Sequence, residues 1–191
     1  MEKIIDLHMH TNCSDGALTP FEVIDDAKKK GVSTISITDH DTIDAYSEEL
    51  FSYAKKNNIE LINGVEISTK IGKCGIHILG YNINITNAED LDKMEAVTKA
   101  HIALDVIKNN EELLLKNFGH IPNKGEFIET VMNEGCPAYV KKNTITPSEA
   151  ANLIRSAGGK VVLAHPVAYT YEDNLTLDDI KEIVTDMNAD G

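Results

Sequence analysis

The chain contains no apolar run approaching the ~20 residues that span a bilayer. Its opening, MEKIID, lacks the basic-then-apolar layout of a secretory leader. The expectation is a cytoplasmic protein with no membrane partner. Positive charge is scarce: 18 Lys and Arg stand against 31 Asp and Glu, a formal net charge of −13. Such a surface does not grip a long nucleic-acid duplex by its phosphates. A small anionic substrate stays open, because bound cations reverse the charge locally. Cysteine is sparse as well. Cys13, Cys74 and Cys136 are odd in number and form no CxxC pair, so no disulfide framework is expected. A ligand role is open to Cys13, inside the first motif, but a small loop residue is the plainer reading. Nor is there a GxSxG, a P-loop or a Gly-rich dinucleotide fingerprint, so Ser-hydrolase, NTPase and Rossmann readings have no support. No low-complexity segment or solenoid repeat occurs.

What is there fits one globular domain with a sizeable core: 191 residues, 42% apolar and 26% charged. Short apolar runs alternate with amphipathic stretches. KIIDLH reads as a first strand. TPFEVIDDAKKKG then opens with Thr19 as N-cap, Pro20 at the first helical position and Glu22 at the third, a capping box, and Gly31 follows the basic end. VSTISITDH predicts a second strand, followed by a helix through Asp44 to Asn57. IELINGVEIST and IHILGY supply further strands. TPSEAANLIRSAGG repeats the start signal with Thr146, Pro147 and Glu149, leading into the strand KVVLAHP and a helix from about Leu177. This β-α order argues for an α/β fold of parallel strands joined by helical crossovers.

Between Thr86 and Thr144 the pattern changes. Leu91, Met94, Val97, His101, Leu104 and Ile107 recur at helical spacing over a stretch ending near Gly119, and a weaker helix is expected through Glu126 to Asn133. The expected organisation is residues 1–85 as the first part of a β/α core, 86–145 as a helical insertion over the mouth of that core, and 146–191 as its continuation.

Seven histidines occur, at 8, 10, 40, 77, 101, 120 and 165. In DLHMHTNCSDG, His8 and His10 are two apart in a strand and share a face; Asp15 can return to them from the loop. His40 sits in TDHDT, Glu66 in GVEIS, His77 in IHILG and His165 in AHP. Taken singly, each has a plain structural reading. Taken together, several strand ends at one face of one sheet each supply a His or a carboxylate, where α/β sheets and barrels build their sites. Imidazole and carboxylate suit Zn, Mn or Fe. Asp39 and Asp41, flanking His40, are expected to orient imidazoles. His120, after the C-cap signal Gly119, is expected at the surface.

DLHMHTNCSDG, TDHDT, GVEIS, HILGY and AGGKVVLAHP together resemble the PHP (polymerase and histidinol phosphatase) superfamily, in its stand-alone metal-dependent phosphoesterase branch. The resemblance implies a distorted TIM-like β/α barrel carrying three divalent metal ions in the complete protein. His8, His10, Asp15, His40, Glu66, His77 and His165 would be the ligands, with Glu66 bridging. The insertion resembles that branch too: VTKAHIALDVI and CPAYVKKN imply that Lys99, His101 and Lys142 face the substrate. Lys99 stands where Arg is usual, which keeps the charge but loses the bidentate fork. His101 also falls on the apolar stripe, so a core role stays open. The late SDxH-type motif of the family has no counterpart before MNADG, and the resemblance therefore implies a barrel truncated at its C-terminus.

The function implied is hydrolysis of a phosphate monoester of a nucleotide or short oligonucleotide, either a 3′,5′-bisphosphate nucleotide or a 5′-phosphorylated RNA. The resemblance implies attack by a metal-activated hydroxide, with no protein side chain assigned to the chemistry. A histidinol-phosphate phosphatase and a non-catalytic metal-binding module are the alternatives.

Overall fold

The structure, a computed structural model, describes residues 3–85, 106–132, 135–136 and 145–189. In chain order the elements are β1 (Ile4–Met9), α1 (Pro20–Lys30), β2 (Val32–Ile37), α2 (Glu48–Lys56), β3 (Glu60–Ile71), β4 (Cys74–Tyr81), α3 (Glu111–Phe118), α4 (Lys124–Phe127) running into a π-helical turn (Ile128–Met132), α5 (Pro147–Ser156), β5 (Lys160–Leu163), α6 (Ala168–Glu172) and α7 (Leu177–Ala189). The chain divides into two compact units, Met1–Met94 with Thr144–Gly191, and Glu95–Asn143. No described helix is long and apolar enough to cross a membrane.

The first unit is an α/β fold built on a five-stranded sheet in the order β1-β2-β3-β4-β5. β1, β2 and β3 are parallel. β4 is antiparallel to both β3 and β5, which corrects the all-parallel expectation. The reason is local. Ile71 pairs with Cys74, leaving only Gly72 and Lys73 between the strands. Gly72 takes φ +58°, the left-handed conformation a two-residue hairpin loop demands. β4 alone is reversed, so β5 again runs with β1 to β3.

The two capping boxes form as their sequences dictate. Thr19 and Thr146 each accept from the backbone N–H three residues on, and Glu22 and Glu149 reach back to the cap. α2 starts later than Asp44, at Glu48, because Ser47 takes the N-cap and accepts from Leu50 N–H. The long helix expected to run on to Gly119 is interrupted at Asn110, which leads into α3; its earlier part lies outside the described residues.

Alternation along the strands sorts the sheet into two faces. Val65 and Ile67 of β3, with Ile76 and Ile78 of β4, pack against Ala150, Ala151 and Ile154 of α5 and Ile183 and Met187 of α7. Ile35 and Ile37 of β2 pack against Val23, Ile24 and Ala27 of α1 and Leu50 and Ala54 of α2. Each fully buried Ile of this layer contributes about 1.5–3 kcal/mol. The opposite face carries buried polar residues instead: Thr34, Ser36, Thr38 and Glu66. The sheet also curls. Laid flat, β1 and β4 would be roughly 14 Å apart, three strand spacings. Yet the Tyr81 hydroxyl of β4 donates to the Leu7 carbonyl of β1 at 2.9 Å.

The second unit has its own small core of Leu114, Phe127 and Met132. His120, beyond the left-handed Gly119, is exposed as expected and pairs with Glu126 at 3.0 Å.

Candidate metal centre

Glu66 lies on the polar face of β3 and is 1% exposed. Five imidazoles converge on its carboxylate. His8 Nε2 is 2.9 Å and His10 Nε2 3.1 Å from Oε2, with His40 Nε2 at 3.7 Å. His165 Nε2 is 3.0 Å and His77 Nδ1 3.2 Å from Oε1. Asp15, at the exposed rim, places Oδ1 3.4 Å from His10 Nδ1 and Oδ2 3.7 Å from His40 Nε2. All seven of the expected ligand residues therefore meet in one place.

Each arrives by a local device. His8 belongs to β1 and His10 follows its end. The segment after them turns sharply: Ser14 N–H and Gly16 N–H both donate to the Thr11 carbonyl, at 3.1 and 2.8 Å. Gly16 is required there, because a Cβ would fall 2.5 Å from the His10 carbonyl carbon and 2.7 Å from Thr11 N. His40 forms an isolated parallel bridge with Glu66, through Glu66 N–H to Asp39 O and Asp41 N–H to Glu66 O. His77 pairs in register with Ser68, on the same face as Glu66. Because β4 is reversed, its beginning meets the ends of β1, β2 and β5. His165 follows β5 at φ +26°, a sparsely populated region for a non-glycine residue that costs about 1 kcal/mol or more.

The expectation that Asp39 orients an imidazole is corrected. Its carboxylate, 1% exposed, accepts from Thr11 N–H, Thr11 Oγ1 and Ser14 Oγ, each at 2.6 Å. It thus fastens the turn that carries His10 and Asp15. Asp41 Oδ1 accepts from Ser68 N–H at 2.6 Å, tying the loop after β2 to β3. Two further groups were not among the residues expected at the site. The Tyr169 hydroxyl accepts from His77 N–H at 2.8 Å, and its ring lies 5.3 Å from that of His165. The other is Tyr81, already described. Cys13 is half-buried in the turn against the core of α1 and α2, its thiol pKa pushed up by burial above all. Lys99, His101 and Lys142 lie outside the described residues.

The electrostatics fit a cation-binding pocket. Burial opposes ionisation of Glu66, but hydrogen bonds from His10, His77 and His8 outweigh it and hold the carboxyl well below the usual range. Burial pushes the His40 imidazole down, with the neighbouring His10 and His77 adding to the effect against Glu66 and Asp15. His40 is thereby biased towards the neutral form that can act as a ligand, whereas for His10 burial is outweighed by the hydrogen bond to Glu66 and the charges of Asp15, Glu66 and Asp39, which push its pKa up. Moreover, among the described residues the buried Nδ1 of His40 has no hydrogen-bond partner and that of His10 faces only the Asp15 carboxylate at 3.4 Å, an arrangement whose cost a bound cation would offset. Among the described residues, three overlapping triplets have ligand atoms close enough to share an ion: His8, His10 and Glu66; His10, Asp15 and His40; His40, Glu66 and His77. The donor set therefore fits divalent metal ions.

Comparison with known proteins agrees with this geometry. Residues 6–142 match the model of the PHP domain. A 5′-3′ exoribonuclease of Haemophilus influenzae is 32% identical over 100% of this chain and 77% of its own length. A 3′,5′-nucleoside bisphosphate phosphatase of Chromobacterium violaceum is 28% identical over 98% of this chain and 74% of its own. Among solved structures, an amidohydrolase from Chromobacterium violaceum with bound sulfate and no metal superimposes with a TM-score of 0.69 at 25% identity, over 98% of this chain and 74% of that one. A protein from Bifidobacterium adolescentis shares the fold at a TM-score of 0.70 and 20% identity, over 97% and 75%. The chain belongs to the PHP domain family, as a metal-dependent phosphoesterase.

Proposed function

We propose that this chain hydrolyses a phosphate monoester of a nucleotide or short oligonucleotide, with a 3′,5′-bisphosphate nucleotide or a 5′-phosphorylated RNA as substrate. The observation that carries the reading is the buried Glu66 carboxylate ringed by five imidazoles. The substrate class is supported by relatives named as a 5′-3′ exoribonuclease and a 3′,5′-nucleoside bisphosphate phosphatase. On this reading the curled sheet is part of a distorted β/α barrel.

His8, His10, Asp15, His40, Glu66, His77 and His165 would hold the ions, three on this reading, with Mn, Zn and Fe all suited to such donors. Divalent cations there supply a water acidified towards neutrality and positive charge against the phosphate oxygens. The chain's own residues hold that arrangement in place. Glu66 keeps its negative charge and gathers the imidazoles. Asp39 fixes the turn that presents His10 and Asp15, and Tyr169 holds β4 at His77. Within residues 86–145, read as a helical insertion, Lys99, His101 and Lys142 bind the substrate phosphate. With a net charge of −13, that local positive charge and the cations are what admit an anion.

The test is phosphate release by the purified chain with Mn²⁺, from an adenosine 3′,5′-bisphosphate, a 5′-phosphorylated oligoribonucleotide and histidinol phosphate side by side. The proposal expects release from one of the first two, abolished by His10→Ala. Preference for histidinol phosphate, or equal release by the variant, would overturn it.

A further inference from the structure

β1 does not pair evenly with β2. The register runs Asp6 with Ile35, then Met9 with Ile37, three residues on β1 against two on β2. Leu7 and His8 thus share the space opposite Ser36, and one residue is extra: a bulge, a device that re-aims a side chain beside a site. A bulge leaves backbone groups outside the ladder, and each needs a partner. The His8 N–H donates to Asp6 Oδ1 at 3.3 Å. The Leu7 carbonyl accepts from the Tyr81 hydroxyl at 2.9 Å, a side chain 74 residues further on, from β4. Among the described residues β1 is the outermost strand, held by β2 on one side only. The ladder on that one side is broken at the residue whose imidazole reaches Glu66.

We propose that Tyr81 is a positioning residue for His8: its hydroxyl fixes the peptide immediately before His8 and so sets where that imidazole meets Glu66. The tie spans the curl of the sheet, from the strand that carries His77 to the strand that carries His8. It thereby also sets the separation of two groups on opposite oxygens of one carboxylate. Burial first, then the carboxylates of Glu66 and Asp6, push the Tyr81 hydroxyl pKa up. Phenylalanine keeps the ring and removes only that donor.

The inference rests on the metal-centre reading, and the test separates the two. Co²⁺ is titrated into the full chain and followed by visible absorption, for wild type, Tyr81→Phe, His8→Ala and the double variant, with thermal unfolding of each recorded alongside. Partners that orient metal ligands characteristically alter affinity 10- to 100-fold. Tyr81→Phe is expected to weaken Co²⁺ binding about 10-fold and to change the absorption envelope. In the His8→Ala background the same substitution is expected to change neither. Ile154→Val, which loosens the core under α5, serves as the comparison for a purely structural defect: it lowers the unfolding temperature and leaves Co²⁺ affinity alone. Wild-type affinity in Tyr81→Phe, or an equal loss in both backgrounds, overturns the role of Tyr81 while leaving the metal centre standing. A wild-type chain that binds no Co²⁺ overturns both.

Discussion

His8 and His165, from the first strand and the turn after the fifth, stack ring on ring with centroids 5.9 Å apart and planes inclined by 18°. Each reaches a different oxygen of Glu66, at 2.9 and 3.0 Å. The site is therefore closed by the curl of the sheet, and one buried carboxylate is the point where its two sides meet.

Glu66→Gln removes the shared anion while conserving shape. The amide offers one acceptor oxygen to five imidazoles and adds donors that face them. The expected outcome is one equivalent of Mn²⁺ or less and a fall in phosphate release of at least about 100-fold, several kcal/mol of transition-state stabilisation being at stake. Metal analysis and a phosphate-release assay on the folded variant check it.

Asp39→Asn leaves a single acceptor oxygen where two served Thr11 N–H, Thr11 Oγ1 and Ser14 Oγ. Hydrogen bonds to a charged group contribute about 1.5–3 kcal/mol, and a buried donor left unpaired costs about 1–3 kcal/mol. The variant is expected to lose about 2–4 kcal/mol in urea unfolding. Its metal content should fall with that loss, because His10 and Asp15 ride on the same turn.

Gly16→Ala puts a methyl group against the His10 carbonyl and Thr11 N, both backbone atoms that cannot swing aside. The turn must open and carry Asp15 away from His10 and His40. The prediction is weakened metal affinity with modest loss of stability, read by chelator competition beside a thermal melt. Unchanged affinity would show that Asp15 is dispensable.

The capping boxes set an acid response. Hydrogen bonds from the Thr146 backbone and hydroxyl hold Glu149 below its ordinary pKa of 4.5, and Thr19 does the same for Glu22. A folded pKa below the unfolded one means stability that is present above about pH 4.5 and lost as pH falls through the folded value. Glu149→Gln keeps the N3 partner without the titrating charge. Its urea midpoint should therefore fall less steeply than that of wild type between about pH 6 and pH 3.

Local signals were legible in the sequence because they act over three or four residues. Thr19-Pro20-Glu22 and Thr146-Pro147-Glu149 form the caps they spell, and the alternation around Glu66 places it opposite Val65 and Ile67. The motifs around His8, His10, His40 and His165 were legible as a set, since β1, β2 and β5 run in one direction and bring their ends to one edge. The hairpin at Gly72-Lys73 was not, because a short IGKCG between two apolar runs reads equally well as the break before a crossover. The work of Asp39 is also hidden: a carboxylate flanking a histidine suggests an imidazole partner, and only the fold turns it towards Thr11 and Ser14. The roles of Tyr81, which closes the HILGY stretch, and of Tyr169 are not legible, since each binds a backbone group, 74 and 92 residues away, that no pattern marks.

A multinuclear centre requires that these side chains hold more than one ion. Plasma mass spectrometry of the purified chain, beside a His8→Ala/His10→Ala double variant, measures that directly. Two or more equivalents of Mn, Zn or Fe in the chain, lost in the double variant, is the predicted result. One equivalent or none, or a content unchanged by the double substitution, would contradict it.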